Sequence, residues 1–304
     1  MNHYLNLYMK YLREDKGRSS NTIASYRRDL SQFFDYMQSC GIHALADTTR
    51  THVQGYMLHL KKIGRASSTI NRTLVAIRSF YHFLIMEQVM ERDPTLNLDA
   101  PKPEKRPPVV LTLEETRRLL DAPDIHQPGG LRDKAMLELL YATGIRVTEL
   151  ISLDVDSLNT EVGYIQCLGK GNRERIIPVN RIALEWQISY LREARPQLLK
   201  EDPNERSLFV NQFGTRLTRQ GIWKLLKKYG KDAGIDETLT PHTLRHSFAA
   251  HLLQNGADLK SVQQLMGHAD LSATDTYSSL MDTRMNEVYA RTHPRNRQLV
   301  MERG

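Results

Sequence analysis

The run Thr240-Pro241-His242-Thr243-Leu244-Arg245 reads as the start of a helix, with Thr240 as N-cap and Pro241 in the first helical position. His242 and Arg245 then stand three apart on one face of the first turn. Free backbone N–H groups and the positive end of the helix dipole already favour an anion there, phosphate among them. Upstream, Leu139 to Leu150 reads as a helix, a break at Gly144 and a new helix, with Arg146 just after the break. A guanidinium in that place can grip two phosphate oxygens, and Glu149 one turn along can orient it. Downstream, Asp258 can cap a short helix that Gly267 ends, which leaves His268 just past the stop. Tyr277 follows in a polar segment, where its hydroxyl need not be buried. Taken singly, these residues also fit a capped and solvated helix end, a surface ion pair, a loop histidine and one of thirteen tyrosines.

The elements that must position these groups are mostly helical. Apolar spacing near 3.6 in Tyr4-Leu5-Tyr8-Met9-Leu12 and Ile70-Leu74-Ile77-Phe80-Tyr81-Leu84 makes residues 1–98 helical, with no alternating strand pattern. Starts at Ser20, Thr51 and Ser67 and stops at Gly17, Gly41 and Gly64 divide this part into four helices. Pro101, Pro103, Pro107 and Pro108, with Lys102, Lys105 and Arg106 among them, mark residues 101–108 as a stiff, basic linker between domain 1–100 and domain 109–304. The second part opens with Thr112 as N-cap of a helix through Leu120; a longer helix, Leu131 to Ala142, follows a break at Pro128-Gly129-Gly130. Tyr164–Leu168 and Arg175–Val179 have strand composition and flank the turn-rich Gly169-Lys170-Gly171-Asn172, so a hairpin is expected, with Leu208-Phe209-Val210 as a further short strand. The fold class is therefore mainly α with a small β-hairpin or sheet.

Charge and composition narrow the function. The net charge of +7 is uneven: residues 1–106 hold sixteen Lys and Arg against ten Asp and Glu, and the remainder is nearly balanced. A basic first third suits a polyanion such as DNA, because Lys and Arg displace its condensed counterions. Cys40 and Cys167 stand far apart and in no C-x-x-C pattern, which argues against a disulfide framework or a cysteine zinc site. No stretch has the roughly 20 apolar residues of a membrane span, and residues 1–13 lack a signal-peptide core, so the cytoplasm is the expected compartment. Neither a P-loop nor an H-E-x-x-H occurs, which disfavours ATP-driven and metal-nuclease chemistry. No cofactor is expected. His246 and His251 read as structural.

In order and spacing, LLYATGIRVTEL, GKGNRER, TPHTLRHSFAAHLL and LMGHADLSATDTY resemble the tyrosine site-specific recombinases, specifically the Xer subgroup. The S-x-N-T-I-x-S-Y-x-R-D-L run and His293-Pro294-Arg295 extend the resemblance over nearly the whole chain. It implies a SAM-like helical domain that grips DNA, a mixed α/β catalytic domain, and a phosphate pocket of Arg146, Lys170, His242, Arg245 and His268 with Tyr277 as nucleophile. The implied reaction is cleavage and rejoining of double-stranded DNA at a specific site through a 3′-phosphotyrosyl intermediate. Fixed cations meet the charge that builds on the nonbridging oxygens, Lys170 protonates the leaving 5′-oxygen, and His242 accepts the Tyr277 proton. His268 would donate a hydrogen bond to the phosphate. The resemblance also implies a homo- or hetero-tetrameric synapse, with or without a paralogous recombinase, an activating translocase, a nucleoid-associated location and a role in chromosome partition at cell division. The stretch from Arg284 to Arg303 would dock on a neighbouring protomer. Integration of a mobile element and a type IB topoisomerase share this chemistry; a DNA-binding regulator that does not cut is the alternative from another class. Ala273, Asp275, Thr276 and Ser278-Ser279 depart from the commoner family pattern around Tyr277, which puts in doubt how that segment docks.

Overall fold

The structure is a computed structural model, and it describes residues 1–98, 109–168, 174–199, 204–235, 239–267 and 283–296. The chain divides into two compact units, Met1–Arg106 and Pro107–Gly304. The expected linker 101–108 lies outside the described residues.

Four α-helices make up the first unit: α1 Asn2–Glu14, α2 Ser20–Ser39, α3 Arg50–Lys62 and α4 Ser67–Met86. Each buries one stripe and exposes the other, as the 3.6-residue spacing requires. Tyr8, Leu30, Phe33, Leu74, Ile77 and Phe80 meet in the core at 1% exposure or less. The caps sit one or two residues ahead of two expected starts. Ser19, not Ser20, accepts from the Thr22 N–H at 3.3 Å, and the Thr49 N–H donates to His52 Nδ1 at 3.1 Å at the head of α3. At α2 a hydroxyl accepts a free N–H of the first turn, and at α3 the His52 ring reaches back to the N–H of the capping residue. Asp29, buried on α2, is gripped by Arg72 of α4 through two bonds of 2.8 and 3.0 Å, which fixes how these two helices cross.

The second unit is wound around α6, Pro128–Thr143, whose residues from Gly130 to Thr143 are all buried. A helix buried all round has no polar face to mark its period. It begins at Pro128, three residues before the expected Leu131, and the reason is steric. Pro128 takes the first helical position, and Gly130 is needed because a Cβ there would overlap the Asp124 carbonyl. The pair of glycines is thus the packed first turn of the helix and not a break before it. Ahead of α6 runs α5, Leu113–Asp121; Thr112 and Glu115 close its capping box, N–H to carboxylate at 2.8 Å and N–H to hydroxyl at 3.1 Å.

After α6 come α7, Val147–Ser152, and a three-stranded antiparallel sheet ordered β1 Leu158–Asn159, β2 Tyr164–Leu168, β3 Glu174–Pro178. The β2–β3 register pairs Tyr164 with Pro178 and Leu168 with Glu174, so the expected hairpin is present with a third short strand added. Leu208-Phe209-Val210 forms no strand: Val210 makes only an isolated bridge to Arg216, and the segment instead fills the core at 4% exposure or less. The helices that follow are α8 Arg181–Ser189, continued through a π-helical turn at Tyr190–Ala194 into α9 Arg195–Leu199, then α10 Arg219–Asp232, α11 Pro241–Gln254, α12 Leu259–Met266 and α13 Thr283–Thr292. No helix among the described residues is long and apolar enough to cross a membrane.

Val288, Tyr289 and His293, expected in a tail that docks on a neighbour, are instead buried in this unit's own core. Tyr289 donates to the Ala142 carbonyl at 2.8 Å, and Arg295 pairs with buried Glu138 at 2.6 Å. These contacts hold the described part of the stretch against this unit's own core. Residues 297–304 lie outside the described residues.

Buried histidines make this unit sensitive to acid. His293 is fully buried; its Nδ1 accepts the Arg295 N–H at 3.2 Å, and burial above all pushes its imidazole down to about 3. His251, bonded to Tyr141 and to the Leu111 carbonyl, is lowered too, chiefly by burial. The unfolded chain takes up protons on both below about pH 6.5, whereas folded His293 stays neutral down to about 3. Stability is therefore fully present above about pH 6.5 and is lost as pH falls from there toward about 3, by up to about 1.4 kcal/mol per unit for His293. Both tryptophans, Trp186 and Trp223, lie in this unit and report its unfolding. Urea titrations followed by their fluorescence should show a lower midpoint at pH 5.5 than at 7.5, and a smaller difference in His293→Gln.

Candidate phosphate-binding site

Three described elements converge on one place. The first is the turn from α6 to α7. Gly144 closes α6 in the left-handed conformation and donates its N–H to the Leu140 carbonyl at 2.9 Å; its φ of +57° and the Phe248 ring against it leave no room for a Cβ. Arg146 caps α7 two residues later. Its N–H donates to Glu149 Oε2 at 2.7 Å and its guanidinium to Oε1 at 3.2 Å, so the expected orienting pair is present.

The second is the first turn of α11. Thr240 caps it, accepting the Thr243 N–H at 3.1 Å, and Pro241 occupies the first position. His242 is exposed, while Arg245 is buried at 6% exposure. Arg245 donates to the carbonyls of Gly144 and Met266, one at each of the two helix ends that face it. Those carbonyls are left free by their own helices, so the guanidinium satisfies them and is itself locked in place. Burial first, then the nearby Arg146 and Arg175, lowers Arg245 to about 10, still far above neutral pH. It therefore stays charged in a site with few counter-charges.

The third is the end of α12. Asp258 caps the helix through the Ser261 N–H at 2.9 Å, and Gly267 ends it in the left-handed conformation, with its carbonyl accepting from Arg146 at 3.3 Å. His268 follows directly, but it, Lys170 and Tyr277 lie outside the described residues, as do Ala273, Asp275, Thr276, Ser278 and Ser279.

Arg146, His242 and Arg245 thus line one cavity of about 90 Å³, with Thr148, Arg219 and Trp223 also on its wall. Three guanidinium groups and a helix N-terminus around a cavity this small suit a tetrahedral anion held at two or more oxygens. Two of the wall residues were not foreseen. Arg219 opens α10 directly after its N-cap Thr218, a cation in a capped first turn as His242 is in that of α11. Trp223 is one turn further on and carried no signal of its own. Away from that wall, Arg175 on β3 was given no role of its own, yet it meets Glu149 at 2.9 Å. His251 sits bonded in the core, in keeping with a structural part, whereas His246 is exposed and lowered by burial and by His242 and Arg245.

Comparison with known proteins places this arrangement. Residues 109–284 match the phage integrase family, and residues 5–88 match its N-terminal SAM-like domain. The chain belongs to the phage integrase family. Within it, this recombinase is 47% identical over 296 residues to the tyrosine recombinase XerD of Halalkalibacterium halodurans, covering 97% of this chain and 99% of that relative. It is a site-specific tyrosine recombinase of the Xer subgroup, and hence an enzyme. Its fold is shared with the XerH site-specific recombinase bound to a palindromic difH substrate (22% identical, TM-score 0.70, 92% of this chain and 82% of that one). It is shared as well with a lambda integrase dimer bound to a COC′ core site (18% identical, TM-score 0.69, 95% of each chain). The mainly helical architecture with a small sheet, expected from the sequence, is the fold of this family.

Proposed function

We propose that this recombinase cuts each DNA strand by attack of the Tyr277 hydroxyl on the scissile phosphate, leaving a 3′-phosphotyrosyl link and a free 5′-hydroxyl, and that a second 5′-hydroxyl reseals it. The observation that carries the proposal is the convergence of Arg146, His242 and Arg245 on one small cavity at the N-terminus of α11. Two guanidinium groups there compensate the charge that builds on the nonbridging oxygens as phosphorus becomes five-coordinate. His242 takes the tyrosine proton, which a phenol with an ordinary pKa near 10 does not give up unaided at pH 7. Lys170 protonates the leaving oxygen and His268 donates to the phosphate. Because the ester to tyrosine resembles the ester it replaces, resealing needs no ATP.

The substrate is double-stranded DNA bearing a specific site, gripped by both units and synapsed in a tetramer, alone or with a paralogous recombinase. The likeness to XerD supports chromosome-dimer resolution at cell division in the cytoplasm, on the nucleoid and under an activating translocase, over integration of a mobile element. The test begins by recovering the bound site from fragmented genomic DNA with the full-length protein. A duplex of that site, nicked beside the scissile phosphate so that the cut strand diffuses away, should then trap the wild type covalently. Tyr277→Phe should bind it with equal affinity and form no adduct. An adduct formed by the phenylalanine variant overturns the assignment, and relaxation of supercoiled DNA lacking the site would favour a topoisomerase.

A further inference from the structure

We infer that Arg175 is a positioning residue for DNA cleavage: it shares the Glu149 carboxylate with Arg146 and so leaves Arg146 with positive charge to spare for the phosphate. The inference rests on the reading of Arg146 as a phosphate-gripping group. One carboxylate here serves two guanidinium groups. Arg175 donates to both of its oxygens, to Oε1 at 2.9 Å and to Oε2 at 3.0 Å, while Arg146 reaches Oε1 at 3.2 Å. The exposures are graded: the side chain of Glu149 is 5% exposed, that of Arg175 17% and that of Arg146 38%. The inner pair is therefore Glu149 with Arg175, and Arg146 is the outer cation, on the cavity wall.

A buried carboxylate must be matched by a nearby cation, and in a site of low dielectric that matching is strong. With Arg175 present, three charged groups leave a net single positive charge on the outer side, where the phosphate comes. Without it, Glu149 has Arg146 as its partner, draws that guanidinium inward and cancels it. Arg175 is also packed against the end of α12: a Cβ on Gly267 would overlap its guanidinium, and the Gly267 carbonyl accepts from Arg146. Arg175 on β3, Arg146 at the head of α7 and Gly267 thus form a closed ring around Glu149. Gly267 directly precedes His268, so the ring also fixes where the chain enters that part of the site.

The test is single-turnover cleavage of the nicked site by full-length variants, with DNA affinity measured alongside. Arg175→Gln should cleave at least about tenfold more slowly, a fraction of the loss for a donor that touches the phosphate, with affinity within about threefold of wild type. The double variant Glu149→Gln/Arg175→Gln should recover most of that loss, because a neutral glutamine still accepts the Arg146 N–H but no longer cancels its charge. A part confined to folding would not respond to this second change. Failure of the double variant to recover, or an equal loss of binding and cleavage in Arg175→Gln, overturns the inference. Arg146→Ala run beside them separates the two readings: if it cleaves normally, the phosphate-gripping assignment itself fails, whereas a slow Arg146→Ala with a normal Arg175→Gln removes only the part given to Arg175.

Discussion

Arg245→Ala should slow strand cleavage on the order of 10²- to 10³-fold at saturating protein, the scale on which enzymes lose a fixed donor to transition-state charge. The argument is electrostatic. Two negative charges develop on the nonbridging oxygens, and a buried guanidinium meets them without the reorganisation that water would need. Arg245 is prepared for this by its two carbonyl partners, Gly144 and Met266, which hold it at 6% exposure beside Arg146. Removing it also leaves those carbonyls without a donor, at about 1 to 3 kcal/mol each if they stay dry. Arg245→Lys is the informative companion, since it keeps a charge and loses the fork. It should fold nearly as well as the wild type, bind DNA with similar affinity, and still cleave at least tenfold more slowly. Rapid-quench cleavage together with a binding titration decides between the outcomes. If cleavage and affinity fall together, Arg245 anchors DNA and does not act on the transition state.

Lys170→Ala should cost about 10²- to 10⁴-fold in the same assay, the range for a general acid, and should be rescued by a change in the DNA. An alkoxide is a poor leaving group and needs a proton, whereas a thiolate leaves without one. A substrate with sulfur in place of the bridging 5′-oxygen should therefore restore cleavage by Lys170→Ala to near the wild-type rate. Arg245→Ala should gain little from the same sulfur, because the charge on the nonbridging oxygens is unchanged. This contrast assigns the two cations to different oxygens, Lys170 to the leaving one and Arg245 to the nonbridging ones, and rescue of both variants or of neither would contradict that assignment. In sequence Lys170 falls between Leu168 and Glu174, the paired ends of β2 and β3, and lies outside the described residues.

Much of the site was legible because its chemistry is local. Thr240-Pro241-His242 announces a capped helix whose first turn must present His242 and Arg245, and the structure has that cap. Gly144 and Gly267 mark stops because only a left-handed residue closes a helix that way, and both do so here. What local patterns missed was decided by packing. Gly129-Gly130 looked like a break because glycine is a poor helix former, but Gly130 is there to let α6 approach Asp124. Leu208-Phe209-Val210 has strand composition and is used as core. The burial of Val288, Tyr289 and His293 in this unit was not legible, because the partners of Tyr289 and His293, Ala142 and Tyr141, lie some 150 positions away in sequence. Arg175 escaped notice for the same reason: its partner Glu149 is on another element, and nothing in the strand pattern points to it.

The central claim is that one tyrosine carries the DNA, and the linkage itself can be read. Wild-type protein trapped on the nicked site, digested with protease and nuclease, should yield a single nucleotide-bearing peptide that contains Tyr277 joined to a 3′-phosphate. A peptide joined through any other residue, or a link to the 5′-phosphate, would contradict the account.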